Sequence, residues 1–338
     1  MKKSIALFLA ALLLGAAGCV APVRETAPAP APTLAPVGMR KVFGRDVTIA
    51  CDAARDGWFA KGVQAQADKL GVPVVWVKSG ETAGDGMIAC FAKAPVAANI
   101  PTIYVSANGA AMPAIPADCY GLVYDAQAEA EAALQAMYAY PSHEAPVRVL
   151  GMFAQGAAAH DAYLSMAAQG KLQDKGALVF SDGLIPGQAG PWLEGALSGV
   201  VPGRLDTVFT DGPALAMEGF AALRAANRGD AVEICTAGLL PELLQGMMEE
   251  HFLMGVAVGQ NQYGAGKLAV RMLAHALSGS VIEENYMQPP LCVRSDEVGA
   301  LYRAGVTDIN AMLEALDEET ERAYQADFLD ELRENHTA

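Results

Sequence analysis

The chain has 338 residues, a formal charge of −15 and a pI near 4.7, and 53% of its residues are hydrophobic. Such a length allows about two domains at roughly 100 to 200 residues each, and the apolar share is ample for buried cores. The acidity argues against nucleic-acid binding, which needs a basic footprint, and against electrostatic adhesion to anionic lipid.

In chain order, Lys2-Lys3 precede the apolar run IALFLAALLLGAAG, which is too short to span a membrane comfortably and ends in Ala16-Ala17-Gly18-Cys19. Residues 1–18 resemble a bacterial lipoprotein signal peptide, with Ala16 where Leu is usual. The resemblance implies that Cys19 is lipidated and becomes the new N-terminus. Residues 19–44 then read as a tether, because VAPVRETAPAPAPTLAPV is aperiodic and rich in Pro and Ala, a composition that favours extended polyproline II.

From Val47 onwards short apolar runs alternate with amphipathic ones. VTIAC (47–51) reads as a strand. WFAKGVQAQADKLG (58–71) reads as a helix with Phe59, Val63, Ala67 and Leu70 on one face. PVVWV (73–77), MIACF (87–91) and PTIYVS (101–106) are further strands, and 126–140 is helical. Strands are then expected at 147–153, 176–181, 206–210, 231–236 and 253–259, with helices at 157–168, 191–199, 213–226 and 239–250 between them. This alternation argues βαβ units and parallel sheets. Continuously apolar strands fit sheets covered on both faces. About nine strands are many for one small sheet, so two sheets in two lobes are expected. After a helix over 263–278, NYMQPPLCV (285–293) reads as one extended run. The tail from Asp308 reads as one acidic helix, docked through Leu313, Leu316, Tyr324 and Phe328.

Five cysteines follow Cys19, an odd count that leaves at least one unpaired in an exported protein. Cys51, Cys90 and Cys235 sit in apolar strand-like runs, where cysteine behaves as a small buried hydrophobe. The sequence has no C-x-x-C, H-E-x-x-H or G-x-S-x-G, which argues against a metal site and against a thiol or serine nucleophile. Nothing calls for a cofactor.

Three segments carry a likeness: VFTDGPALAMEGFAALRAANRGDAVEICTAG, VAVGQNQYGAGKLAVRMLAHALSG and PPLCVRSDEV. From about Val47 to Val293 the chain resembles the type I periplasmic substrate-binding proteins of sugar-type ABC transporters. The most specific piece is the strand, Q-N-x-Y-x-x-G turn and helix around Gln260. The resemblance implies an α/β fold with two doubly wound parallel-sheet lobes, a multi-strand hinge and a ligand cleft between the lobes. Residues 45–124 and 261–284 would form the N-terminal lobe, 125–260 and 285–307 the C-terminal lobe, and 308–338 the acidic helix. It further implies a monomeric, non-enzymatic, lipid-anchored protein of the cell envelope that captures a small polar solute, a sugar or sugar-like, and hands it to an ABC permease. No helix-turn-helix headpiece precedes Val47, which sets aside the family's repressor branch.

Carried over residue by residue, the likeness places Gln260 at a hinge crossing facing the cleft, where an amide that donates and accepts suits hydroxyls. Trp58 and Phe59 stand where the family has aromatics that stack on a sugar face, with Asp52 and Asp56 nearby. Ser106 and Asn108 stand where an Asp-Arg pair is usual, and His160 replaces an arginine. Asp211 keeps one carboxylate of an Asn-Asp turn, while Ala237 replaces another acid. Loss of these charged clamps argues against a standard monosaccharide mode. Each residue also has a plainer reading: Phe59 as core, His160 as surface, the Gln260 turn as a helix cap. Between Val77 and Thr102 lie only 24 residues, where the family usually fits a helix, a strand and another helix. A trimmed first lobe follows, with the Gly-rich SGETAGDG in place of one helix. Three alternatives stay open: a sensing module for a membrane receptor, a degenerate envelope lipoprotein with no ligand, and an enzyme recruiting His160, Asp161 and the cleft carboxylates.

Overall fold

The computed structural model describes residues 47–324 apart from Thr82, 91–99, 107–118, 181–186, Gln188, Asp230, 249–253 and Val281. Cys19, the tether, Asn108 and Phe328 lie outside the described residues. The first lobe starts with β1 (Ile49–Cys51), α1 (Trp58–Leu70), β2 (Val74–Trp76), β3 (Gly86–Cys90), β4 (Thr102–Val105) and β5 (Cys119–Tyr124). The second runs α2 (Ala126–Tyr138), β6 (Val147–Ala154), α3 (Ala158–Ala168), β7 (Leu172–Phe180), α4 (Ala189–Gly199), β8 (Thr207–Thr210), α5 (Pro213–Ala225), β9 (Glu233–Ala237), α6 (Pro241–Met248) and β10 (Met254–Gly259). The chain returns to the first lobe for α7 (Gln262–Leu277) and β11 (Asn285–Gln288). It re-enters the second for β12 (Leu291–Arg294) and α8 (Ser295–Arg303), then ends in α9 (Ile309–Leu316) and α10 (Glu318–Arg322).

Each lobe holds a six-stranded sheet, ordered β11-β5-β4-β3-β1-β2 in the first and β12-β10-β9-β8-β6-β7 in the second. All pairings are parallel except β10 with β12. In both sheets the chain winds outward from a central pair, β1/β3 and β6/β8, so each sheet has a switch point there, where ligands collect in open α/β folds.

Two expectations are corrected. Residues 285–293 are not one run belonging to the C-terminal lobe. Asn285–Gln288 pairs in parallel with Gly121–Tyr124 in the first sheet, and Leu291–Arg294 pairs antiparallel with Val256–Gly259 in the second. Pro289 and Pro290 between them lack N–H groups, which ends one ladder and redirects the chain to the other. The tail is also not a single helix. It breaks at Asp317 (φ −111°, ψ 59°), whose carboxylate accepts from Thr320 N at 3.1 Å and from Asn261 Nδ2 at 2.7 Å. An Asp that captures local backbone N–H competes with continued helix and starts a new one.

The second sheet is covered on both faces. Val149, Phe153, Phe209, Cys235 and Val256 meet α2 and α3 on one side, and Leu150, Val208, Ile234 and Ala257 meet α4, α5 and α6 on the other. The first sheet carries α1 and α7 over Ile49, Ile88, Ile103 and Leu122. Its opposite side, Ala50, Met87, Ala89 and Tyr104, packs with Val77, Ala83 and Ile100 from connecting segments. No described residue of the β2-to-β3 link is helical, in keeping with the trimmed lobe. The link is pinned instead. Asp85 N donates to Thr48 O at 2.8 Å, Thr48 N donates to Asp85 Oδ2 at 2.9 Å, and Gly84 at φ +73° passes so close that a Cβ would sit 2.5 Å from Thr48 O.

Helices α1 and α7 touch backbone to backbone. A Cβ on Gly62 would fall 2.0 Å from Tyr263 O, and one on Gly266 would fall 2.2 Å from Phe59 O. The glycine in each helix therefore lets the other approach, which draws the start of α7 against the start of α1.

Candidate functional site

The two switch points carry matching devices. Asp52 follows β1, and its Oδ1 accepts from Cys90 N at the end of neighbouring β3. Asp211 follows β8, and its Oδ2 accepts from Ala154 N at the end of neighbouring β6. In each lobe a carboxylate thus ties the carboxyl ends of the two strands where the winding reverses. Burial raises both carboxyls above the usual Asp range, and the backbone donors offset part of this. Among the described residues, Asp52 Oδ2 is buried without a hydrogen-bond partner.

Asp211 also lines a cavity of about 370 Å³. Its polar wall comes from two of the three crossings between lobes: Tyr124 and Glu129 beside the β5-to-α2 passage, Gln260 and Gln262 beside the β10-to-α7 passage. Pro213, Leu239 and Leu240 supply an apolar wall. The third crossing is bonded in through Gln288, the last residue of β11. Gln260 Nε2 donates to Gln288 Oε1 at 3.1 Å, and Gln288 Nε2 donates to Asn261 O at 3.3 Å.

Glu129 is the site residue that sequence reasoning missed. It lies in the first turn of α2, where Asp125 caps the helix through Gln127 N and Ala128 N. From there its side chain reaches back to accept from the Tyr124 hydroxyl. Burial pushes its carboxyl up to about 7. The backbone amides of Gln260 and Gly238 pull the other way and offset part of this.

The turn at Gln260 divides its labour. Gln260 and Gln262 face the cavity, whereas Asn261 caps α7 through Gly264 N at 2.9 Å and Tyr263 reaches Glu314 at 3.4 Å. The other expected site residues scatter. Trp58 is only 8% exposed, packs in the second lobe's hydrophobic cluster, and donates its Nε1 to Asn310 Oδ1 at 3.0 Å. It edges a different cavity, of about 380 Å³, with Lys61, Gln245 and Asn310, so the structure does not bring it together with Asp211 and Gln260. Phe59 is buried in the first lobe's core, Asp56 is exposed, and Ser106 is buried with its N–H on Leu122 O at 2.9 Å. His160 is half-buried, its ring 4.9 Å from that of Phe153, and its proximity acts to lower the Asp211 carboxyl against burial.

The C-terminal segment forms a further link between lobes. Helix α9 packs on α6 of the second lobe and α7 of the first, and α10 lies along α7. Buried Lys267 on α7 donates to Glu314 and Glu321, both at 2.7 Å. Buried Arg271 donates to the backbone oxygens of Thr320 and Ala323. Among the described residues no helix is long and apolar enough to cross a membrane, and no cluster of three His, Cys, Asp or Glu could hold a metal.

No protein-family model matches the sequence, and no curated protein sequence does. Solved structures do match in shape. An ABC transporter solute-binding protein from Bradyrhizobium sp. BTAi1 with bound bis-tris is 17% identical, over 79% of this chain and 86% of that one, with a TM-score of 0.59. A 5-methylthioribose transporter solute-binding protein from Thermotoga lettingae, in complex with 5-methylthioribose, is 16% identical over 86% and 99%, with a TM-score of 0.58. A sugar ABC transporter structure from Yersinia enterocolitica is 14% identical over 90% and 100%, with a TM-score of 0.56. The chain therefore has the two-lobed fold of type I periplasmic binding proteins.

Proposed function

We propose that the protein is an extracytoplasmic solute-binding protein that captures a small polar ligand, a sugar or a sugar-like molecule, and delivers it to an ABC importer. One observation carries this reading. The polar cavity at the second sheet's switch point is walled by side chains from two inter-lobe crossings, so any rotation of the lobes reshapes it. Closure about such crossings traps a solute away from bulk water. Asp211, Gln260, Gln262 and Tyr124 supply donors and acceptors for hydroxyls, and the Leu239-Leu240 wall supplies an apolar face. Support also comes from the shared fold with binding proteins whose ligands are small polar molecules. The signal-like N-terminus with Cys19 supports anchoring to a membrane of the cell envelope. The assignment involves no catalytic step.

A panel of sugars, polyols, nucleosides and amino acids, read by melting temperature and by small-angle scattering, tests it. A ligand present at 100 times its Kd stabilises by about 2.7 kcal/mol, roughly 5 °C for a chain of this size, and closure lowers the radius of gyration. A panel without any shift would sink the proposal.

A further inference from the structure

We infer that the cavity prefers an amine-bearing polyhydroxylated solute over its neutral and acidic counterparts; the inference rests on the solute-binding reading above. The charged side chains that line it are Glu129 and Asp211, both acids, and no Lys, Arg or His joins them among the described residues. Elsewhere in the chain some part-buried carboxylates have cations of their own, Asp206 with Arg148 and Glu314 and Glu321 with Lys267, while others such as Asp317 and Glu218 are held by amide and backbone N–H groups. The cavity acids belong to the second kind, but they face a space that a solute can enter. Glu129 meets the Tyr124 hydroxyl and backbone amides. Asp211 meets Ala154 N and feels His160, which is held against Phe153 rather than on the cavity wall. At the first lobe's switch point Asp52 likewise accepts from Cys90 N.

Above about pH 7, where Glu129 is ionised as well as Asp211, two carboxylates with no cation on the wall among the described residues leave the cavity with a negative excess. Closure on a solute removes their water, and a buried carboxylate without a cation is costly. A ligand ammonium offsets that cost through charge-assisted hydrogen bonds, a neutral hydroxyl does so less, and a ligand carboxylate or phosphate adds repulsion. Ammonium alone does not account for the rest of the wall. Tyr124, Gln260 and Gln262 present the mixed donors and acceptors that hydroxyls use, and about 370 Å³ suits a monosaccharide-sized body.

The test titrates the full chain with two matched trios: D-glucosamine, D-glucose and D-glucuronate, then glucamine, sorbitol and gluconate. The amine member should bind at least about 10-fold tighter than the neutral one, and the acid should not bind. Asp211→Asn and Glu129→Gln should each cut the ratio of amine to neutral affinity by about 10-fold or more. Should Asp211→Asn unfold through its bond to Ala154, Glu129→Gln carries the comparison. Equal or tighter binding of a neutral or acidic member, or a preference that survives both variants, overturns the inference and leaves solute capture standing. Silence from all six compounds also overturns it, and only silence from the wider solute panel would take the solute-binding reading with it.

Discussion

Removing the Glu129 carboxylate should stabilise the protein above about pH 5, by an amount that grows until about pH 7 and then levels off. Burial lifts this acid from an ordinary 4.5 to about 7. The unfolded chain gives up the proton near 4.5, whereas the folded chain holds it to about 7. The fold thus favours the protonated form. The resulting stability is complete below about pH 4.5 and is lost as pH rises through 7. At about 1.4 kcal/mol per pKa unit the ceiling is about 3.5 kcal/mol. Glu129 is only half-buried beside an open cavity, so screening by water brings the expected effect to about 1.5 kcal/mol. Glu129→Gln has the shape of the protonated acid at every pH. It should therefore match the parent below about pH 5 and exceed it at pH 8 by about 1.5 kcal/mol, roughly 3 °C in melting temperature. Asp52 and Asp211 are also raised by burial and titrate in the same direction, but they do so in both proteins, so the difference between the two profiles isolates Glu129. Thermal unfolding followed by circular dichroism from pH 4.5 to 8.5 at constant ionic strength gives both curves. Parallel profiles, or a variant that is the less stable at pH 8, would refute the reasoning.

Other expectations concern the packing that holds the cavity in place. Gly266→Ala puts a methyl 2.2 Å from Phe59 O and 2.8 Å from Val63 N, backbone atoms that no rotamer change can move; urea unfolding should show a loss of at least about 2 kcal/mol, and an unchanged midpoint would mean the helices separate freely. Trp58→Ala should cost about 3–5 kcal/mol and enlarge the radius of gyration. Trp58→Phe, which forfeits mainly the bond to Asn310, should cost about 1 kcal/mol beyond a small packing loss; equal effects of the two would contradict a packing role. Lys267→Met takes the buried ammonium from Glu314 and Glu321, leaving them Tyr263 and Arg271, and should cost about 1–3 kcal/mol, little changed by salt. The exposed Arg322–Glu318 pair is the control, and Arg322→Ala should cost under about 0.5 kcal/mol. Similar losses in the two would refute the distinction.

Much of the fold was legible because its signals are local. A strand such as Thr207–Thr210, buried at every position, shows as an apolar run, and α5 beginning at Pro213 shows as a helix whose first residue has no N–H to waste. The short spacing between Val77 and Thr102 announced a missing helix for the plain reason that a parallel crossover needs chain length. The site was less legible. Asp211 and Gln260 could be placed from their turns after strands, and they share a cavity. Glu129 could not. In AQAEAEAALQAMY it looks like Glu131, one more acid on a solvated helix, and its burial follows from where α2 leaves β5.

By itself the sequence determined the alternation of strands and helices, their parallel character and the polar turn at Gln260, since each depends on neighbours within a few residues or one turn of helix. Only the tertiary structure decided that Asn285–Gln288 joins the first sheet, that Trp58 packs between lobes rather than beside Gln260, and that Glu129 faces a cavity. Those outcomes depend on which distant segments meet, as Gly62 meets Tyr263 and Asn261 meets Asp317, and no periodicity along the chain encodes such a meeting.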